Sequence, residues 1–267
     1  MQKSKIQLIL SLLLSVYLQS CSQKIPKNPD SSPVSHKNWD QLLQIHVNKE
    51  GWVDYQGFRQ NQDMLDMYLD LLSQNLPNPN TWSEHEQLAY WINLYNAFTI
   101  NLILDHYPVQ SIKDIGNSIQ IPFINSVFDL KFIPLGGKMY DLNFIEHGIL
   151  RKKFDEARIH FAINCASVSC PPLLNQAFRA ETLDQQLNQQ AEKFLQDTLR
   201  NQITTDEIRL SKIFKWFKGD FTRNGSLQSF IDDYVPEKIN QNASISWLDY
   251  NWKLNSIKTG AQVDIDR

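Results

Sequence analysis

The sequence predicts an α+β fold: a single mainly helical domain around a small, largely antiparallel sheet. Three observations carry that reading. Ser83-x-x-Glu86 has the form of a capping box and opens an apolar pattern that continues to about His106. Several other segments repeat their apolar residues at helical spacing. The alternating segments, by contrast, are short, and one pair is separated by Gly136-Gly137, which reads as a hairpin turn.

Residues 1–20 stand apart. Lys3 and Lys5 precede the apolar run Ile9 to Leu18, too short for a comfortable membrane span and laid out as a secretory signal. Leu18-Gln19-Ser20-Cys21 resembles a bacterial lipoprotein signal, so Cys21 is the expected lipidation site and a membrane is the expected partner. Export to a periplasmic or cell-surface face follows. Residues 21–37, rich in Ser, Pro, Lys and Asn, suit a flexible tether, and 38–260 form one globular domain. The formal charge is −3, and −5 without residues 1–20, which argues against a nucleic-acid partner.

In order along the domain, Trp39 to Val47 reads as a short amphipathic helix and Gly51 to Tyr55 as a connection. Phe58 to Leu72 reads as a second helix. The capped helix follows, apolar nearly all round. On it, Tyr90 and Tyr95 are candidate binding residues, and Asn93 and Asn96 share one side. Buried amides either bond to backbone at a helix crossing or serve a polar site. Phe128 to Ile133 alternates as a strand and returns through Lys138 to Tyr140. Asp141 then caps a helix from Leu142 to Phe154 that carries Glu146, His147 and, one turn on, Arg151.

Ile159 to Cys165 alternates as a strand, placing His160 and Cys165 on opposite faces, and Pro171-Pro172 ends the loop that follows. Thr182 to Leu199 reads as a Gln-rich helix and Ile203 to Leu210 as a small hairpin. Lys212 to Phe217 and Ser226 to Tyr234 read as short helices, and Trp247 to Asn255 as an edge strand.

Chemistry centres on the cysteine loop. Cys165 is a candidate nucleophile activated by His147 or His160, with Asn93, Asn96 or Glu146 as orienting groups; His147 is the better base if His160 points away. A Cys165–Cys170 disulfide in a non-catalytic binding or scaffolding module is the alternative. His147, His160, Cys165 and Cys170 match no common zinc spacing, so no metal or other cofactor is assigned. The ligand expected is a small molecule or a peptide.

Five blocks together resemble the domain-of-unknown-function 547 family. They are Tyr90 to Ala97, Glu146-His147 with Arg151, His160 to Pro171, Lys212 to Phe217 with Asp220-Phe221, and Tyr250 to Asn255. The likeness spans about residues 80 to 255. It implies an exported or lipid-anchored protein and no settled activity. Ala166 stands where the resemblance implies glycine. At fold level the order of His147 before Cys165 also resembles permuted papain-like hydrolases, which implies hydrolysis or acyl transfer on an amide or thioester.

Overall fold

A computed structural model describes residues 28–118 and 126–265; the expected signal, Cys21 and most of the expected tether lie outside them. The described chain is α+β and mainly helical, with two small sheets. Its first helices are α1 (Lys37–His46), α2 (Tyr55–Gln60), α3 (Gln62–Gln74), α4 (Glu84–Asp105) and α5 (Ile112–Ser118). The single helix expected from Phe58 to Leu72 is broken at Asn61, whose side-chain oxygen lies 2.7 Å from His46 Nε2. Both bonds of the capping box at Ser83 and Glu86 are made. Helix α4 is buried from Leu88 to Leu104 except at Asn101, as its all-round apolar pattern requires.

Asn28 to His36, read as tether from composition, is tied to these helices. The Ser31 hydroxyl donates to the Leu76 carbonyl at 2.6 Å, and the Trp82 indole donates to the Ser31 carbonyl at 3.0 Å.

Strands β1 (Ile133–Leu135) and β2 (Lys138–Tyr140) form the expected antiparallel hairpin around Gly136-Gly137. Its first strand starts late, because Val127–Asp129 closes into a 3-10 turn capped by Ser126. A π-helical turn, Phe144–Leu150, runs into α6 (Arg151–Lys153) and then α7 (Ile159–Ala162). The second of these corrects the expected strand at Ile159 to Cys165. Ile159, His160, Phe161 and Ala162 are all buried, so their alternation carried no inside–outside information, and a short apolar run of this kind fits a buried helix equally well.

Then come α8 (Leu183–Gln196), β3 (Gln202–Ile203), β4 (Glu207–Leu210), α9 (Lys212–Trp216), α10 (Lys218–Phe221), α11 (Leu227–Asp232), β5 (Ser244–Trp247) and α12 (Ile257–Ile265). Strand β4 pairs antiparallel with β3 and parallel with β5, so the second sheet is mixed. Of the edge strand expected from Trp247 to Asn255, only Trp247 lies in it, at the end of β5. The chain beyond Trp247 leaves that sheet, and Asn251 to Asn255 pairs instead with the cysteine loop. The Val168 amide donates to Lys253, Ser169 to Asn251, and Asn255 to Ala166.

Two apolar clusters result. The larger surrounds α4; the smaller gathers Phe161, Phe194, Phe214 and Phe221 beside the mixed sheet. The cysteine loop lies where they meet.

Asn93 and Asn96 hold backbone, not a reacting group. The Asn93 amide donates to the Phe178 carbonyl at 2.8 Å and accepts from the Phe178 amide at 3.0 Å. Asn96 treats Ala162 and Asn164 the same way, at 2.9 and 2.8 Å. Replacing Asn96 by leucine leaves a buried carbonyl and a buried N–H unpaired, each worth about 1–3 kcal/mol. Urea denaturation of Asn96→Leu is therefore expected to show a loss of about 2–4 kcal/mol; a loss under about 1 kcal/mol would remove Asn96 from this role.

Candidate active site

The loop after α7 is fixed almost atom by atom. Asn164 receives the Ala166 amide on Oδ1 at 2.8 Å and gives Nδ2 to the Pro171 carbonyl at 2.7 Å, spanning the loop's neck. Asn255 Nδ2 also donates to Asn164 Oδ1, and Asn255 Oδ1 accepts from Tyr55. Arg200 Nε donates to the Cys170 carbonyl and Gln190 Nε2 to the Pro172 carbonyl, at 2.7 and 2.8 Å. Ala166 has φ 57°, in the left-handed region that favours glycine. The glycine implied by the resemblance at this position thus has a backbone reason.

Both cysteines are free thiols, Cys165 partly exposed and Cys170 buried. The Cys165 sulfur lies 3.2 Å from the Ser167 hydroxyl and 3.2 Å from the Tyr250 hydroxyl. Its own backbone N–H donates to the Cys170 sulfur at 2.8 Å. Burial pushes the Cys165 thiol up, but hydrogen bonds from Cys170, Ser167 and Tyr250 outweigh it and bring the group down to about 7. Cys170 is driven the other way, well above its usual value, by burial and then by its neighbour Cys165. Burial also raises Tyr250 well above 10, which keeps its hydroxyl proton in place as a donor.

A cleft of about 160 Å³ opens beside Cys165. Cys170, Glu146, His147, His160 and Tyr95 share its lining, with walls of Trp216, Phe217, Tyr250 and Trp252. The rings of Trp216, Tyr250 and Trp252 cluster with centroids 4.6–6.2 Å apart, the Tyr250 ring tilted against both tryptophans. The π-helical turn supplies Glu146 and His147 to this wall, and such turns occur often at functional positions. Glu146 is buried, raised to about 7 by burial and by the Cys165 charge, and reached by the Tyr95 hydroxyl at 3.4 Å.

His147 is exposed at the mouth of the cleft, with Nδ1 3.0 Å from Arg151 Nη1; burial of part of the ring and the Arg151 charge lower its pKa. It makes no hydrogen bond to Cys165, whose sulfur is engaged by Ser167 and Tyr250 instead. His160 does not point away as a strand would place it. Its Nε2 lies 2.7 Å from Asp220 Oδ2, and its ring stacks on Phe217 at 4.0 Å. Burial lowers the His160 pKa, while hydrogen bonds from His160 and Arg151 hold Asp220 below the usual carboxylate range. An ionised Asp220 only accepts, so His160 Nε2 carries the proton and Nδ1 is left as the basic nitrogen. Arg151 Nε closes the group on Asp220 at 2.6 Å.

The candidate set therefore divides. Cys165, Cys170, Glu146, His147, His160 and Tyr95 meet at one cleft, and Arg151 supports it through Asp220. Tyr90 does not join them. Its hydroxyl donates to the Leu72 carbonyl inside the helical core. Ser167, Tyr250, Asp220 and Trp216 are not candidate site residues on sequence grounds, although all four lie in blocks that carry the family resemblance.

Residues 79–195 match the model of a family described as "Protein of unknown function, DUF547", which supports the resemblance to that family. No curated protein and no solved structure matches the chain.

Tyr250→Phe keeps the ring against Trp216 and Trp252 but removes an O–H donor to the Cys165 sulfur. Losing a group that favours the thiolate raises the thiol pKa. The pH midpoint for iodoacetamide alkylation of Cys165 is expected near 7 in the native protein and about one unit higher in the variant. An unchanged midpoint would mean that Tyr250 does not activate the sulfur.

Proposed function

We propose that the protein is a cysteine-dependent hydrolase or acyl transferase acting on an amide or thioester. One observation carries the reading: a partly exposed thiol with a pKa brought to about 7 sits in a cleft beside a buried carboxyl also near 7. A fraction of each group is in either state at neutral pH, which suits a nucleophile and a proton carrier.

In this reading the Cys165 thiolate attacks the acyl carbon and forms the acyl–sulfur bond. The leaving amine or thiol takes the proton of neutral Glu146, and ionised Glu146 then draws a proton from the water that releases the acyl group. Glu146 is favoured over His147 here because the Cys165 charge acts on it directly. The Tyr250 hydroxyl and the Ser167 backbone N–H face the same sulfur and are placed to steady developing negative charge. Pairing with Asp220 holds the His160 imidazole as one wall.

A second reading, a non-catalytic binding module, draws on the cluster of Trp216, Tyr250 and Trp252, which offers an apolar ligand an aromatic wall without chemistry. Export and lipid attachment at Cys21, with a membrane as partner, belong to the same proposal and rest on the residue pattern before Cys21.

The deciding experiment incubates the protein with short aliphatic and aromatic acyl thioesters and follows acyl transfer to Cys165 by peptide mass. Native protein is expected to acquire and release the acyl group. Cys165→Ala should acquire none, and Glu146→Gln should acquire it but release it at least about a hundredfold more slowly. Native protein that is never acylated, yet whose tryptophan emission responds to the probe, would hand the site to the binding reading. Membrane fractionation of Cys21→Ser against wild type tests the anchor in the same cells; equal membrane association would exclude it.

A further inference from the structure

The acyl-transfer reading uses one sulfur and leaves the other unexplained. Cys170 is buried, reduced and pressed against the reactive residue: the Cys165 N–H reaches its sulfur at 2.8 Å, and the two side chains hydrogen-bond to one another. The two sulfurs are thus neighbours, and the backbone around both is held by Asn164, Arg200 and Asn255. Such a pair has the layout of a thiolate with a resolving partner.

We infer that Cys165 and Cys170 form a hydroperoxide-responsive dithiol, with Cys165 as the residue oxidised first and Cys170 as the one that resolves it. The Cys165 thiolate attacks the distal oxygen of a hydroperoxide; a sulfur–oxygen bond forms as the oxygen–oxygen bond breaks, and the leaving oxygen picks up a proton to depart as water or an alcohol. Cys165 is then a neutral sulfenic acid. The Cys170 sulfur attacks it, a disulfide forms, and the released hydroxide takes the proton of the Cys170 thiol as water. Two electrons pass from the pair of thiols to the hydroperoxide. A dithiol returns them and restores both cysteines.

The surroundings set the order of these steps. While Cys165 is a thiolate, burial and then its charge keep Cys170 protonated and inert. Oxidation of Cys165 to the uncharged sulfenic acid removes that charge, and the N–H donor from Cys165 to the Cys170 sulfur favours the second thiolate as it forms. The Ser167 and Tyr250 hydroxyls, each 3.2 Å from the first sulfur, can donate to the peroxide oxygens. The oxidised form has no nucleophile at Cys165, so the acyl-transfer chemistry would stop.

The test treats the full chain with stoichiometric hydrogen peroxide and maps the tryptic peptide between Arg158 and Arg179. That peptide holds both cysteines and no Lys or Arg between them, so Cys21 does not interfere. Expected in the native protein are loss of two hydrogens from this peptide, a loss of iodoacetamide labelling of about tenfold or more, and recovery of both on adding dithiothreitol. Cys170→Ser and Cys170→Ala should instead accumulate a sulfenic acid at Cys165 that dimedone traps, at least about tenfold more than in native protein. Retention of both thiols, progression to the sulfinic acid without a disulfide, or equal trapping with and without Cys170 would each overturn the proposal. The native peptide alone decides the matter if neither variant folds. Thioester acylation of the reduced protein is read separately, so failure here leaves the hydrolase reading standing, and the reverse holds too.

Discussion

The cleft depends on three buried amides in a row. Asn96 holds the start of the cysteine loop, Asn164 spans its neck, and Asn255 ties both to Tyr55 on the other side of the core. An amide has a donor and an acceptor in one plane, so Asn96 and Asn164 each satisfy a carbonyl and an N–H that no regular element satisfies, and Asn255 bridges the Asn164 side chain to the Tyr55 hydroxyl. Cys165 presents its side chain to the cleft, and the buried Ser167 hydroxyl meets its sulfur, on a backbone whose polar groups are paired. The left-handed turn at Ala166 is a consequence. It reverses the chain between Cys165 and Ser167 so that both face Tyr250.

On that frame the electrostatics of the cleft are a matter of crowding. Burial raises both Cys165 and Glu146, and the Cys165 charge raises Glu146 further, yet only the sulfur has enough donors to recover. The cleft thus favours one negative charge at a time, and its position is decided by hydroxyls and a thiol instead of a cation. Arg151 sits close by but spends its guanidinium on Asp220 and on the Phe217 ring. Arg151 and Asp220 thus pair with one another and with neutral His160, while the Cys165 sulfur is held by Cys170, Ser167 and Tyr250.

Much of the helical framework was legible because long apolar patterns and a capping box are local signals. The Ser83 cap and the hairpin at Gly136-Gly137 appear where the residues put them. The cysteine segment was misread as a strand, since its residues are buried on every side and period two cannot be told from a helical turn there. That error turned His160 away from the cleft on paper. The choice of Cys165, Glu146 and His147 needed only residue type and nearness in sequence. Asp220 and Tyr250, which contact His160 and Cys165, lie 60 and 85 residues further on, and no local pattern announces such a pairing. Asn93 and Asn96 were noticed for the right reason, the cost of a buried amide; what they satisfy is backbone.

The division of the cleft along the chain has a wider consequence. The segment matched by the family model, residues 79–195, contains the sulfurs, Glu146 and both histidines, whereas Asp220, Trp216, Tyr250 and Asn255 all come later. The sulfurs and part of the wall are therefore supplied by stretches far apart in the chain. Substitutions in the last third can reshape what enters the cleft, or how acidic Cys165 is, without touching the sulfurs themselves. A chain that shares only the matched segment carries the positions of both sulfurs and Glu146 without the Trp216, Tyr250 and Trp252 that wall this cleft.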